Sequence, residues 1–297
     1  MRIYLDGQFV DDSDARLSVF DAAVQHAVGL FETMVARNGH IFQLEAHVER
    51  LVASASELGL ASTLRPGPLA EAVELTLAEN DRQDARIRLT VTGGDLALLP
   101  GRGGEGEHHP SVLITATDPT DYPEAFFTRG VRVVIADPKA NPFDPGAGHK
   151  TVNYWARLQS LAAAAAAEAG EALWFSVTNH LCGGAVSNAF LVKDGQLHTP
   201  LARGEEPEGA LRAPVLPGIT RAVVQAIASD LGTPVERRLL SIDDVLGADE
   251  VFLTNSSWGI LPVVAVEKQA VGGGEPGEVT GELRQALNER IEGECGG

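Results

Sequence analysis

In "GAGHKTVNYW" (146–155) a single lysine, Lys150, stands between a glycine-rich turn and an aromatic-bearing run. The chain has only four lysines, at 139, 150, 193 and 268, against nineteen arginines. An amine can lose its proton and condense with a carbonyl, and a guanidinium does neither. Lys193 belongs to an Asp-Gly hairpin, Lys268 to a turn and Lys139 to a proline-flanked loop, where solvated lysines are ordinary. Lys150 precedes a run that reads as a buried helix. A cation at a helix start opposes the helix dipole mildly, so its presence there points to use rather than solvation.

Two further stretches could hold an anion. "LPGITR" (216–221) places proline and glycine before a helix, leaving the amides of Ile219 and Thr220 free at its N-terminus. "TNSS" (254–257) ends a strand in small hydroxyl and amide side chains, a second set of donors that includes Asn255 and Ser256. Either stretch alone is more simply read as ordinary capping. With a lone lysine they fit a phosphorylated aldehyde held as an imine, and pyridoxal 5′-phosphate is the usual cofactor of that kind.

Composition sets the outer limits. A net charge of -18 gives no basic face for nucleic-acid phosphates and disfavours anionic membrane surfaces. No run of eighteen apolar residues occurs, and the acidic opening is unlike a signal peptide. Two cysteines, Cys182 and Cys295, give no disulfide framework and no metal-ligand spacing. The chain reads as soluble, metal-free and cytoplasmic, with 297 residues for one large domain or two ordinary ones.

The elements that must position Lys150 alternate between strand and helix. Asp-Gly turns in "RIYLDGQFV" and "NAFLVKDGQLHT" signal hairpins. "LEAHVERLVASASELG" repeats Leu44, Val48, Leu51 and Ala55 at helical spacing and stops at Gly59. A second helix follows in "PLAEAVELTLAEN", then strands in "ARIRLTVTGG" and "SVLITAT". The glycine-rich "PGRGGEGEHHP" (100–110) between those strands lacks the lysine and hydroxyl of a phosphate loop, and His108 and His109 lack metal-ligand partners. "VNYWARLQSLAAAAAAEAG" predicts a long helix ending at Gly170, and "GITRAVVQAIASDLG" an amphipathic one. The proline- and aspartate-rich "TDPTDYPEA" marks a linker. The expected organisation is an N-terminal α/β domain at 1–116, a linker at 117–126 and a larger C-terminal domain at 127–297.

In order along the chain, "GLFETM" (29–34), "AHVERL" with Arg50, "RIRLTVTGG" (86–94), "HKTVNY" (149–154), "VSNAFLVKDGQLHTP" (186–200), "LPGITR" and "ADEVFLTNSSWGILPV" (248–263) resemble the class IV, fold-type IV pyridoxal-phosphate enzymes. That group holds branched-chain and D-amino-acid aminotransferases and aminodeoxychorismate lyase. The resemblance implies a two-domain α/β (α+β) fold, with a small N-terminal domain and a larger C-terminal pseudo-barrel. It also implies a homodimer acting on an amino acid and keto acid pair. It makes Lys150 the lysine that carries pyridoxal 5′-phosphate and shuttles the α-proton. Arg50, Ile219, Thr220 and Ser256 would hold the phosphate, with Tyr154, Gly183 and Asn255 also on the cofactor. Phe31, Arg88 and Ser257 would face the substrate.

Two positions depart from the family pattern. A glutamate that pairs with the pyridine nitrogen is expected five residues before Asn188, where this chain has Gly183. No Asp or Glu lies between Leu173 and Lys193. Without that carboxylate the ring is a weaker electron sink, so amino transfer should be weak. A lyase, or a homologue that binds without turnover, stays open as an alternative. The second departure is Arg86, where branched-chain members tend to carry an aromatic.

Overall fold

A computed structural model describes residues 1–95 and 110–296, so the reading at 100–110, with His108 and His109, falls outside the described residues except for Pro110. The chain divides into two compact units. The first comprises 1–120, 149–153 and 291–297, and the second comprises 121–148 and 154–290. The segment carrying Lys150 thus groups with the N-terminal unit, whereas the sequence division left it in the C-terminal one.

In the first unit, strands β1 (Arg2–Leu5) and β2 (Gln8–Asp11) form the expected hairpin. Asp6 and Gly7 both take positive φ, 48° and 86°, as a two-residue hairpin turn of this twist requires. There follow the short helix α1 (Ala22–His26), strands β3 (Gly29–Arg37) and β4 (His40–Ile41), helices α2 (Leu44–Glu57) and α3 (Pro66–Glu79), and strands β5 (Ala85–Thr92) and β6 (Val112–Thr117). The six strands make one antiparallel sheet in the order β2-β1-β6-β5-β3-β4. Alternation sends Leu30, Met34, Ile87, Leu89 and Ile114 to one face, where Val48, Leu51 and Ala55 of α2 and Val73 and Leu77 of α3 complete a core.

The second unit contains α4 (Ala125–Thr128), β7 (Val131–Ile135), α5 (Trp155–Ala166), β8 (Glu171–Phe175), β9 (Leu181–Gly184), β10 (Asn188–Lys193) and β11 (Gln196–Pro200). It continues with α6 (Ile219–Asp230), β12 (Val235–Arg238), α7 (Ile242–Leu246), β13 (Glu250–Asn255), β14 (Gly259–Val266), β15 (Gln269–Ala270) and α8 (Glu278–Cys295). Eight strands follow the path β12-β11-β10-β13-β14-β7-β8-β9, with β15 on β14. The sheet is mixed: β7 runs parallel to both β8 and β14, and β11 to β12, while the other pairs are antiparallel. It curls until β9, at one end, returns towards β10 and β11, the half-barrel form expected of the larger domain.

One expected element differs. The helix read from Val152 begins at Trp155 and ends at Ala166, short of Gly170. Residues 150–152 are instead extended along β3, where Phe31 N–H donates to the Lys150 carbonyl and Val152 N–H to the Gly29 carbonyl. The open edge of β3, which pairs with β4 only at Ala36 and Arg37, outcompetes the local helical preference. Lys150 is therefore held by a strand edge and does not stand at a helix N-terminus, so no helix dipole opposes its charge.

In the curled sheet Phe190 of β10 stacks on Phe252 of β13, with centroids 4.9 Å apart and both side chains fully buried. Replacing Phe252 by Ala should cost about 3–5 kcal/mol, the usual range for emptying an aromatic site in a close-packed core. Urea denaturation followed by tryptophan fluorescence measures it.

Candidate active site

Helix α2 presents two stripes. Leu44, Val48, Leu51 and Ala55 enter the core, while His47, Arg50, Ser54 and Glu57 recur three or four residues apart on an adjacent polar stripe. The polar stripe meets two partners. Glu32 of β3, only 1% exposed, accepts from Arg50 Nε at 2.8 Å and from Arg50 Nη2, and pairs with His47 Nδ1 at 2.8 Å. His149, next to Lys150, is bonded through Nδ1 to Ser54 Oγ at 3.0 Å, and its Nε2 lies 3.6 Å from Glu57. One helix face thus fixes both Arg50 and the backbone beside the lysine.

Burial pushes the Glu32 carboxyl up, but the Arg50 charge and the His47 hydrogen bond more than reverse it and hold Glu32 at about 2. Burial also dominates at His47 and lowers its pKa despite the hydrogen bond to Glu32, so the imidazole is neutral near pH 7. The arrangement is an ionised carboxylate clamping a guanidinium, with a neutral histidine alongside.

On the opposite face of the sheet, Phe31 links two cations. The Lys150 ammonium lies 4.4 Å from the ring centroid and the Arg88 guanidinium carbon 3.8 Å from it. Phe31, Arg50, Arg88 and Lys150, all named from the sequence, belong to this first unit.

The other expected residues belong to the second unit, where hydrogen bonds gather the ends of several elements. Arg157, one turn into α5, lies 5.6 Å from the Tyr154 ring and donates to the Ala185 carbonyl at 2.7 Å. This ties the start of α5 to the 183–187 turn. Asn255 donates to the Val186 carbonyl and accepts from the amides of Ser257 and Trp258, so its side chain shapes the "TNSS" turn. Asn188 donates to the Leu216 carbonyl at 2.9 Å. A Cβ on Gly218 would lie 1.9 Å from the Asn188 Oδ1, so only glycine allows this approach. Helix α6 then begins at Ile219 with no side-chain cap, and Thr220 is buried in its first turn. Arg221 is committed elsewhere: both its terminal nitrogens bind Glu205 at 2.8 Å and its Nε binds Thr199.

Gly183 has φ +125°, and a Cβ there would lie 2.6 Å from the Ser187 carbonyl oxygen. A carboxylate does hold this turn: Glu171, just outside the window searched in the sequence. It is fully buried and accepts from the amides of Ala172, Ala185 and Val186 and from Ser187 Oγ. Burial pushes its carboxyl up, and these four donors oppose the shift. Glu171 thereby pins the turn that carries Gly183. Sequence reasoning missed Glu171, Glu32, His47 and His149. For three of them the signal was present: the polar stripe of α2 and the "ET" and "HK" dipeptides fall inside the motifs already singled out.

The second unit's features fit a phosphate-bearing cofactor. The α6 N-terminus offers amides without a side-chain cap, and the buried Thr254 hydroxyl on neighbouring β13 has no protein hydrogen-bond partner among the described residues. Charged groups suited to an amine-linked aldehyde, Lys150 and Arg50, lie in the first unit. Among the described residues no group of His, Cys, Asp or Glu could hold a metal, and no helix is long and apolar enough to cross a membrane.

The family model for amino-transferase class IV matches residues 29–266. A putative branched-chain-amino-acid aminotransferase of Methanocaldococcus jannaschii is 32% identical, over 97% of this chain and 96% of that protein. The D-alanine aminotransferase of Bacillus licheniformis is 26% identical, over 98% and 97%. Among solved structures, the T.th. branched-chain amino acid aminotransferase with pyridoxamine 5′-phosphate superposes with a TM-score of 0.88 at 27% identity, covering 99% of this chain and 94% of that one. The 4-amino-4-deoxychorismate lyase of Pseudomonas aeruginosa gives 0.82 at 29% identity, covering 97% and 98%.

The Glu32 cluster predicts acid lability. A carboxyl held at about 2 contributes stability that is complete above its unfolded value near 4.5 and is lost as pH falls towards 2. His47, with a lowered pKa, adds loss in the same direction once pH drops below about 6.5. Melting temperature should therefore fall steadily from pH 6.5 to 3. In Glu32→Gln the part of that slope below pH 4.5 should flatten, while stability at pH 7 drops by about 3 kcal/mol from the uncompensated Arg50 charge.

Proposed function

The chain belongs to the amino-transferase class IV family, enzymes that transfer amino groups with pyridoxal 5′-phosphate, and we propose that here Lys150 carries the cofactor and moves the proton at the substrate α-carbon. The observation that supports this most directly is how Lys150 is seated. Its backbone is bonded to β3, and its Nζ lies 4.4 Å from the Phe31 ring that Arg88 also covers. A group that must give and take a proton at one atom needs such a fixed backbone.

When bound, the cofactor supplies an electron sink for the α-carbon. The residues do the rest. Arg50, oriented by Glu32, supplies the charge-assisted contact to phosphate, and the Ile219 and Thr220 amides with Ser256 complete that contact. Arg88 takes the substrate carboxylate, with Phe31 and Ser257 bounding the substrate. Tyr154, Gly183 and Asn255 line or shape the cofactor side.

The substrate is an amino acid and keto acid pair of the branched-chain or D-amino-acid type, as the names of the relatives divide. Amino transfer is slow, because Gly183 offers the ring no carboxylate and Glu171 is committed to the backbone of its own turn. Similarity to a lyase gives a second reading, elimination, which product analysis separates by whether an amino group reaches an added keto acid. The family resemblance further supports a cytoplasmic homodimer, and the exposed Val19, Phe20 and Val24 offer apolar surface for it.

Borohydride treatment of the cofactor-loaded protein should leave a pyridoxyl group on Lys150, read by peptide mass spectrometry. A label on Lys139, Lys193 or Lys268 instead would sink the assignment. Arg50→Ala should weaken cofactor binding by about 2–4 kcal/mol, the scale for losing a buried charged partner, and unchanged affinity in equilibrium titration would place the phosphate elsewhere.

A further inference from the structure

We propose that Glu205 is a positioning residue for the cofactor phosphate, acting by anchoring the first turn of α6; this deepens the amino-transfer reading and rests on its placing of the phosphate at that helix. Between β11 and α6 the chain runs from 201 to 218 without a helix or strand, longer than most connections in a compact unit. One carboxylate gathers its start. Glu205 accepts from the Ala202 amide at 2.8 Å and from both terminal nitrogens of Arg221 at 2.8 Å. Arg221 stands in the first turn of α6, is 2% exposed, and also donates to Thr199 Oγ1 and the Pro200 carbonyl. The nearby Arg203 donates to the Ala147 carbonyl at 3.2 Å, and a Cβ on Gly148 would lie 3.0 Å from the Arg203 Cβ. The same loop is thus packed on the glycine turn that leads into Lys150.

Helix α6 has no side-chain cap, so the direction of its first amides, at Ile219 and Thr220, is set by whatever holds the first turn. Asn188 holds the approach through the Leu216 carbonyl, and Glu205 holds Arg221 on the other side of those amides. Burial pushes the Glu205 carboxyl up, but the Arg221 hydrogen bonds and the Ala202 amide more than reverse this, so it is ionised at neutral pH. Arg237 adds a second cation 3.7 Å away. A guanidinium as buried as that of Arg221 needs this charge, and without it the first turn must shift to let water in. Glu205 also brings a negative charge towards an anion-binding helix end, which opposes phosphate. Removing the carboxylate therefore weakens phosphate binding if position dominates and strengthens it if charge dominates. The bidentate pairing and the burial of Arg221 assign the larger effect to position.

The test compares two ligands that differ only in the phosphate, so it does not depend on turnover. The full-length chain, freed of cofactor, is titrated with pyridoxal 5′-phosphate and with pyridoxal, following tryptophan fluorescence. Glu205→Gln should weaken the phosphorylated ligand about tenfold, the scale of one charge-assisted hydrogen bond lost, and leave pyridoxal within about twofold. Glu205→Asp, which keeps the charge at shorter reach, should recover part of the loss. Glu205→Gln combined with Arg221→Met, which leaves no bare buried cation, should show the same selective loss. An equal loss for both ligands in a folded variant, no loss, or a gain for the phosphorylated ligand overturns the proposal. If Glu205→Gln fails to fold, the double variant and Glu205→Asp decide it by the same ratio. Arg50→Ala separates this inference from the reading beneath it. If Arg50→Ala loses the preference for the phosphorylated ligand and Glu205→Gln keeps it, only this inference falls. If both variants keep the preference, the phosphate lies elsewhere and the reading falls as well.

Discussion

A carboxylate taken out of water must be repaid by charge and hydrogen bonds, and Glu32 is repaid by one helix. Arg50 and His47, one turn apart on α2, both reach it, so the helix cannot rotate or slide along β3 without leaving a buried charge uncompensated. The same helix face continues through Ser54 and Glu57 to His149. The direction of the Arg50 guanidinium and the register of α2 on the sheet follow from that requirement, and His149 joins the lysine backbone, which β3 holds, to the same helix face. Hydrophobic packing holds the helix against the core, and the polar stripe sets its register.

The second unit solves a comparable problem differently. Its turns approach one another too closely for side chains, so glycines and buried amides do the positioning. Asn188 lies against Gly218, Glu171 collects the amides of the 185–186 backbone, and Asn255 holds both its own turn and Val186. Arg157 reaches the same backbone from α5, donating to the Ala185 carbonyl. The N-terminus of α6, with Gly218 and Thr220 buried, has no side-chain cap.

Much of this was legible in the sequence where a local rule governs. The Asp-Gly hairpins, the helical spacing of α2 and the glycine before α6 each announce themselves within a few residues. The lysine segment was misread because Val152–Gly170 has good local helical character, while its true partner, the edge of β3, lies some 120 residues away in the chain. Glu32 and Glu171 were overlooked for the same reason. A buried carboxylate looks like any surface glutamate until its donors, at positions 47 and 50 or at 185 to 187, are brought to it. Ordered motifs carried the family and its chemistry; the pairings between motifs needed the fold.

The conformation at Gly183 also has a bearing on the chain's history. A lineage carrying this turn could not acquire a carboxylate at that position by one substitution, since the new side chain would collide with the Ser187 carbonyl oxygen. The 183–187 backbone would have to change course first, and Glu171, Ser187 and Arg157, which all hold it, would have to change with it. The path between the two states is blocked by packing, whatever selection favours, so a turn of this kind acts as a ratchet.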